Sequence, residues 1–218
     1  MPLPMVHLNI AKNIVELGFN DIDLSQFYLG IISPDAIHMR QNADRNDKNK
    51  THLIPENKKW TEINEVDYYN FIFEYLELNK NNVDKSFLWG YLIHILTDMY
   101  WTCNVYTEFK QKYINDVSPI QDERMAYYND TDILDQILYN ECDWRKNIWL
   151  ILEKSSCLDF LGLLTENEIK LWKERTLHWY DEGKSKHKNP IKYITKIDIQ
   201  NFIISFSKII HKRINNNV

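Results

Sequence analysis

The stretch LWGYLIHILTDMYW, residues 88–101, is a near-continuous apolar run that holds one base and one acid, His94 and Asp98. From Lys85 to about Lys112 the apolar pattern is long and mostly helical, so the run reads as the middle of a buried helix. The i, i+4 spacing puts both polar side chains on the same face. A buried carboxylate is costly unless it is paired or bound to a cation. Two readings follow: a divalent metal held by His94 and Asp98, or a core histidine bonded to a carboxylate one turn away. The spacing alone serves both.

Composition carries the helical reading outward. Only 5 Gly and 6 Pro in 218 residues leave few breakers, which favours long helices over a many-turned sandwich or barrel. Apolar spacing predicts helices over 5–17, 65–79, 121–139 and 143–154. Asp84 is a candidate N-cap for the long central segment. TENE, 165–168, is a capping box before a helix expected to stop near Gly183, and Thr195 is placed to cap the last helix. Residues 24–32 are apolar and end at Ser33-Pro34, where proline breaks a helix. Residues 41–59 and 183–190 are polar and read as loops. The expectation is one all-α domain over 1–218, a multi-helix bundle with a sizeable core.

Several function classes are excluded. A formal net charge of −5 gives no support for a stable nucleic-acid complex. Three cysteines without a close pair make neither a disulfide framework nor a thiolate zinc module. There is no Gly-x-Ser-x-Gly elbow, no phosphate-cradling Gly-rich loop and no adjacent His-Asp pair. The first residues lack a basic leader and a small-residue cleavage site, and no apolar run reaches the ~18 residues of a spanning helix. A cytoplasmic protein without a transmembrane segment is expected; the oligomeric state is left open. The aromatic stock near residues 89–101 is read as core.

The remaining polar groups of the N-terminal half shift the balance toward a metal. His7 lies among apolar positions of the first helix, Asp35 follows Pro34 at a helix break, and His52 precedes Leu53-Ile54. Asp35, His52, His94 and Asp98 are enough for a four-ligand zinc site, and His7 can join a second ion bridged by Asp98. His38 and Arg40 lie close to Asp35 in sequence and are candidates for contact with substrate; Arg45 is a weaker one. Among Asp130, Asp132 and Asp135, one can orient a ligand histidine or cap a helix. His178 and Glu182 have metal-compatible spacing but read more naturally as a solvated helix end.

At these positions the sequence resembles the zinc-dependent phospholipase C and single-strand nuclease superfamily. The likeness rests on MVHLNIA (5–11), FYLGIISPDAIH (27–38), KTHLI (50–54) and GYLIHILTDMYW (90–101), a little under half the chain. The resemblance implies an all-α fold that hydrolyses phosphate esters with a zinc cluster. It implies Asp35, His52, His94 and Asp98 as one zinc site, and His7 with Asp98 as another. Secreted members of the family also use the free amine of the mature N-terminus; loss of Met1 before Pro2 would leave an amine five residues from His7. The family's third zinc takes two further His and a Glu soon after the His-x-x-x-Asp helix, whereas residues 99–140 contain no His. One or two zinc ions are therefore expected. The expected function is hydrolysis of a small phosphorylated substrate by metal-activated water, with Asp35 as general base. The alternative is a non-enzymatic helical domain with a structural metal site.

Overall fold

A computed structural model of the chain describes residues 2–56, 58–119, 121–181, 187 and 189–216. Among them the architecture is all-α, with an isolated bridge between Phe160 and Leu164 as the sole extended pairing. Helix α5 (Lys85–Trp101) is the centre. Asp84 caps it by accepting the Phe87 N–H, and every residue from Ser86 to Met99 is buried. A helix that is apolar all round belongs inside a bundle.

Helix α2 (Leu24–Ile32) lies directly on α5, and two glycines set how closely. A methyl at Gly30 would sit 2.1 Å from the Phe87 carbonyl oxygen, and one at Gly90 would sit 2.1 Å from that of Phe27. The two backbones meet where neither has a side chain. Around this pair stand α1 (Pro4–Glu16) and α10 (Lys196–Asn216). Helix α4 (Glu65–Asn79), capped by Asn64, also packs on α5. Helices α7 (Glu123–Glu141) and α8 (Arg145–Lys154) complete the bundle beside α1 and α2 respectively.

Proline 34 does not end the chain's helical course; it tightens it. Residues Ser33–Met39 continue α2 as a 3-10 turn with proline in its first turn, where the missing N–H is not needed. The segment 41–59, expected as a loop, contains the helix α3 (Arg45–Thr51). Asp44 and Asp47 form a reciprocal capping box that starts it, and only Thr51 within it is buried. Such a polar helix leaves no apolar period to detect. The central helix does not run evenly to Lys112 either. It widens into a π-helical stretch at Thr102–Tyr106 before α6 (Thr107–Ile114).

The capping box at Thr165 starts α9 (Glu166–Leu177), with Glu168 returning the bond. That helix ends at Leu177 rather than near Gly183. His178 closes it, and Tyr180 folds back to stack on Tyr139 with ring centroids 4.1 Å apart. Gly183 and Glu182 lie outside the described residues. Thr195 and Asp198 cap α10 reciprocally. Among the described residues no helix is long and apolar enough to cross a membrane.

Candidate metal centre

The Gly30–Gly90 contact delivers the end of α2 to the middle of α5. One consequence is the bond from His94 Nδ1 to the Ile31 carbonyl, 2.7 Å long. A carbonyl only accepts, so Nδ1 carries the hydrogen and Nε2 faces inward. The 3-10 turn then swings Asp35 over the same helix face, with Asp35 Oδ2 3.9 Å from His94 Nε2. His52 arrives from the end of α3. Its Nδ1 lies 3.0 Å from the Lys48 carbonyl, so its Nε2 also faces inward. Tyr68 donates to the His52 carbonyl at 3.1 Å and Tyr91 donates to that of Thr51, which grips the turn from below. Leu53 takes a φ of 50°, a left-handed conformation costly for a leucine, just after this histidine. His7 comes from α1, its ring stacked on that of His94 at 3.8 Å and 2°.

Asp98 is the hub. Its Oδ1 is 3.5 Å from His7 Nε2; its Oδ2 is 3.5 Å from His52 Nε2 and 3.6 Å from His94 Nε2. His52 Nε2 is also 3.5 Å from Asp35 Oδ1. These separations are too long for good hydrogen bonds. Accordingly, among the described residues, His7 Nδ1 and Nε2, His52 Nε2, His94 Nε2 and both Asp98 oxygens are buried without a hydrogen-bond partner. Leaving each of them so costs about 1–3 kcal/mol. Two ligand atoms each about 2.0–2.2 Å from a tetrahedral zinc lie roughly 3.3–3.6 Å apart, which is the spacing found here. The donor set, imidazole nitrogens with carboxylate oxygens, suits zinc. Two triads of metal-capable atoms emerge, His7–His94–Asp98 and Asp35–His52–His94.

The electrostatics fit the same reading. Burial drives the His7 pKa down to about 3, with the neighbouring His94 adding to the fall, so His7 is neutral near pH 7. Burial also lowers that of His52, against the pull of Asp35. Burial opposes a charge on His94, but Asp98 outweighs it and raises its pKa. Burial pushes the Asp98 carboxyl up; His94 beside it more than reverses that. For Asp35, burial is outweighed by the His38 and His52 imidazoles and by the Lys48 ammonium, which together hold it well below the usual carboxylate range.

Asp35 is also the group through which the cluster meets solvent. It is 17 % exposed, whereas Asp98 and His52 are fully buried. It opens on a cavity of about 530 Å³ whose wall includes His38, Lys48, Trp172, Arg175 and Trp179. Lys48 Nζ stands 3.5 Å from Asp35 Oδ1 and 3.2 Å from His38 Nε2. The Arg175 guanidinium lies over both indoles, 5.2 Å from Trp172 and 5.0 Å from Trp179. Lys48, Arg175 and these tryptophans were not foreseen from the sequence. They come from two distant places in the chain, α3 and the α9 region, and no local pattern joins them.

Of the residues singled out in sequence, His7, Asp35, His52, His94 and Asp98 come together, and His38 borders them. Arg40 does not join them. Its guanidinium is held by Glu168 at 2.7 Å, by the Leu163 carbonyl at 2.8 Å and by Asp47 at 3.6 Å, so it ties the 3-10 turn to the start of α9. Its donors are engaged before any substrate arrives. His178 pairs with Asp181 at 2.8 Å on the surface, and Glu182 lies outside the described residues. Asp130 accepts the N–H groups of Tyr193 and Ile194 at 2.7 and 3.0 Å, a structural anchor. Among the described residues Asp135 is not bonded to the histidines of the cluster; it accepts the Met5 N–H at 3.0 Å and the Tyr180 hydroxyl, which fixes the start of α1 two residues before His7.

No curated protein and no solved structure matches the chain. A family model does: the one described as zinc dependent phospholipase C matches residues 6–216. That span takes in the whole cluster and nearly all of the bundle around it, and the chain belongs to the zinc-dependent phospholipase C family.

Proposed function

We propose that this chain is a zinc-dependent phosphoesterase, a single helical domain that hydrolyses a small phosphate ester in the cavity beside Asp35. The observation that carries the reading is the set of orphaned, buried nitrogen and oxygen atoms of His7, His52, His94 and Asp98, spaced as zinc ligands are. Asp35, His52, His94 and one oxygen of Asp98 would hold one ion. His7 and the other oxygen of Asp98 would belong to a second. The two triads overlap at His94, but a single free imidazole nitrogen serves one ion, whereas a carboxylate has two oxygens. Asp98 is therefore the residue that would serve both.

Zinc bound there supplies Lewis acidity, lowering the pKa of a coordinated water and drawing charge from a phosphoryl oxygen. The protein's own groups do the rest. Asp35, kept ionised and partly exposed, is the acceptor for a proton at the cavity floor. Lys48 and Arg175 offer positive charge to the phosphate from the cavity wall. His38, 3.2 Å from Lys48, adds a nitrogen beside them. A purely structural zinc site is closed; the opening at Asp35 is what favours a hydrolase.

The test is zinc content by mass spectrometry, on protein purified without chelator or affinity nickel, beside hydrolysis of bis(p-nitrophenyl) phosphate. The wild type should hold zinc and turn over; His94→Ala should lose both. Hydrolysis that survives complete removal of zinc would sink the reading. Zinc held without turnover of any phosphodiester or phosphomonoester would return the chain to a structural role.

A further inference from the structure

A second cavity, about 720 Å³, shares Lys48 with the first and is also lined by His52. Its wall carries five cations: Arg45 and Lys48 of α3, Lys58 and Lys59 of the segment that follows, and Lys110 of α6. Among the described residues no carboxylate lines it. That is unexpected in a chain with 31 acidic and 26 basic residues, where a mixed surface is the default. Three separate segments must converge to make it, so no basic run in the sequence announces it.

Most of these charges are not neutralised. Lys48 is paired with Asp35 at 3.5 Å and Lys110 stands 3.8 Å from Glu123, but among the described residues Arg45, Lys58 and Lys59 have no carboxylate partner. Like charges brought together without counter-charge repel, and an anion between them relieves that repulsion. The cavity also has an apolar side, with Trp60, Tyr106 and Ile54. The π-helical widening of Thr102–Tyr106 forms part of this wall. Such irregular turns are frequent at functional sites. Asn49, Thr61, Thr107 and Gln111 add neutral hydrogen-bonding groups. The four cations other than Lys48, three of them without a carboxylate partner among the described residues, call for several negative charges on one ligand, which a single carboxylate or monoester phosphate does not supply.

We propose that this cavity is a second anion site, taking a small organic molecule that carries two or more phosphate groups. Its lining includes one residue of the metal cluster, His52, and one neighbour of it, Lys48; the cations that define it lie outside the cluster. The proposal goes beyond the phosphoesterase reading and does not depend on it.

The experiment is isothermal titration calorimetry of inositol trisphosphate into the intact protein at low ionic strength. Three proteins are compared: wild type, Lys58→Glu with Lys110→Glu, and Asp98→Asn. Lys58 is exposed and Lys110 half-exposed, so the reversals leave the core untouched, and circular dichroism verifies the fold. Wild type and Asp98→Asn should bind alike, and the double reversal should weaken binding at least ~10-fold. Affinity should also fall as salt is raised. Binding that is lost in Asp98→Asn but kept in the double reversal would place the ligand on the metal centre and overturn the proposal. Flotation with phosphatidylcholine vesicles containing phosphatidylinositol bisphosphate separates the two sources of such phosphates. Binding of the soluble probe identifies a free metabolite; binding to vesicles alone, sensitive to the double reversal, identifies a lipid headgroup. Binding to neither overturns the site. Failure here leaves zinc content and hydrolysis untouched, so the two readings fail separately.

Discussion

Replacing Asp98 by asparagine keeps the shape of the hub and removes its charge and one of its two acceptor oxygens. In the wild type those oxygens face three imidazoles at 3.5–3.6 Å. A single zinc ion at free concentrations about 1,000 times its Kd stabilises the folded state by about 4.1 kcal/mol. For a domain of this size that raises Tm by roughly 8–16 °C. Losing even a partner of a metal ligand lowers metal affinity about 10–100-fold; losing the charged hub should do at least the latter. At the same free zinc the ratio to Kd then falls to about 10, the stabilisation to about 1.4 kcal/mol, and the shift to roughly 3–6 °C. Differential scanning calorimetry of metal-free and zinc-loaded samples of both proteins reads this directly. An equal zinc-induced shift in wild type and Asp98→Asn would refute the reasoning, because the residue central to the cluster would then contribute nothing to holding the ion.

Three further perturbations probe what builds the site. Gly30→Ala inserts a methyl against the Phe87 carbonyl and should destabilise by about 3 kcal/mol or more while weakening zinc binding through His94; chemical denaturation and zinc titration check both. Tyr91→Phe leaves the Thr51 carbonyl beside His52 without that donor and should cost about 1–3 kcal/mol, measured the same way. Asp135 has its pKa raised by burial to about 7, against hydrogen bonds from Tyr180 and Met5 that lower it. Its folded form holds a proton that the unfolded chain releases near pH 4, so the associated stability is full in acid and lost as pH rises toward 7. The shift, from 3.8 to about 7, corresponds to roughly 4 kcal/mol at most. The stability of Asp135→Asn relative to the wild type should be lowest near about pH 3, already rise by about pH 5 and be greatest near about pH 8; a constant difference between the two across this range would refute the assignment.

The fold was legible because its strongest signals are local. The apolar run 88–101, the Asp84, Thr165 and Thr195 caps and the sparse breakers each report on a few neighbouring residues, and each helix they start is present. The elements that were missed lack such a signal. Helix α3 is almost wholly polar, and its Asp44–Asp47 box is hidden among other polar residues. Gly30 and Gly90 each interrupt an apolar helical run, a hint of close backbone approach, but nothing local says that they face one another.

The five metal-capable residues lie between here. Their types and order were visible, yet their meeting depends on that glycine contact. It sets the height of α2 on α5, hence the reach of the Ile31 carbonyl to His94 and the swing of Asp35 over the same face. Arg40 shows the converse. Its place near Asp35 in sequence suggested substrate contact, but Glu168, distant in the chain, claims the guanidinium. The cations that border the two cavities are decided at this third level too, since Lys48, Lys110 and Arg175 stand on α3, α6 and α9, and Lys48 meets Lys110 in one cavity and Arg175 in the other only when those helices dock. Sequence types therefore nominate ligands, whereas the long-range packing of α2 on α5 and of α9 on the 3-10 turn determines which nominees reach the site.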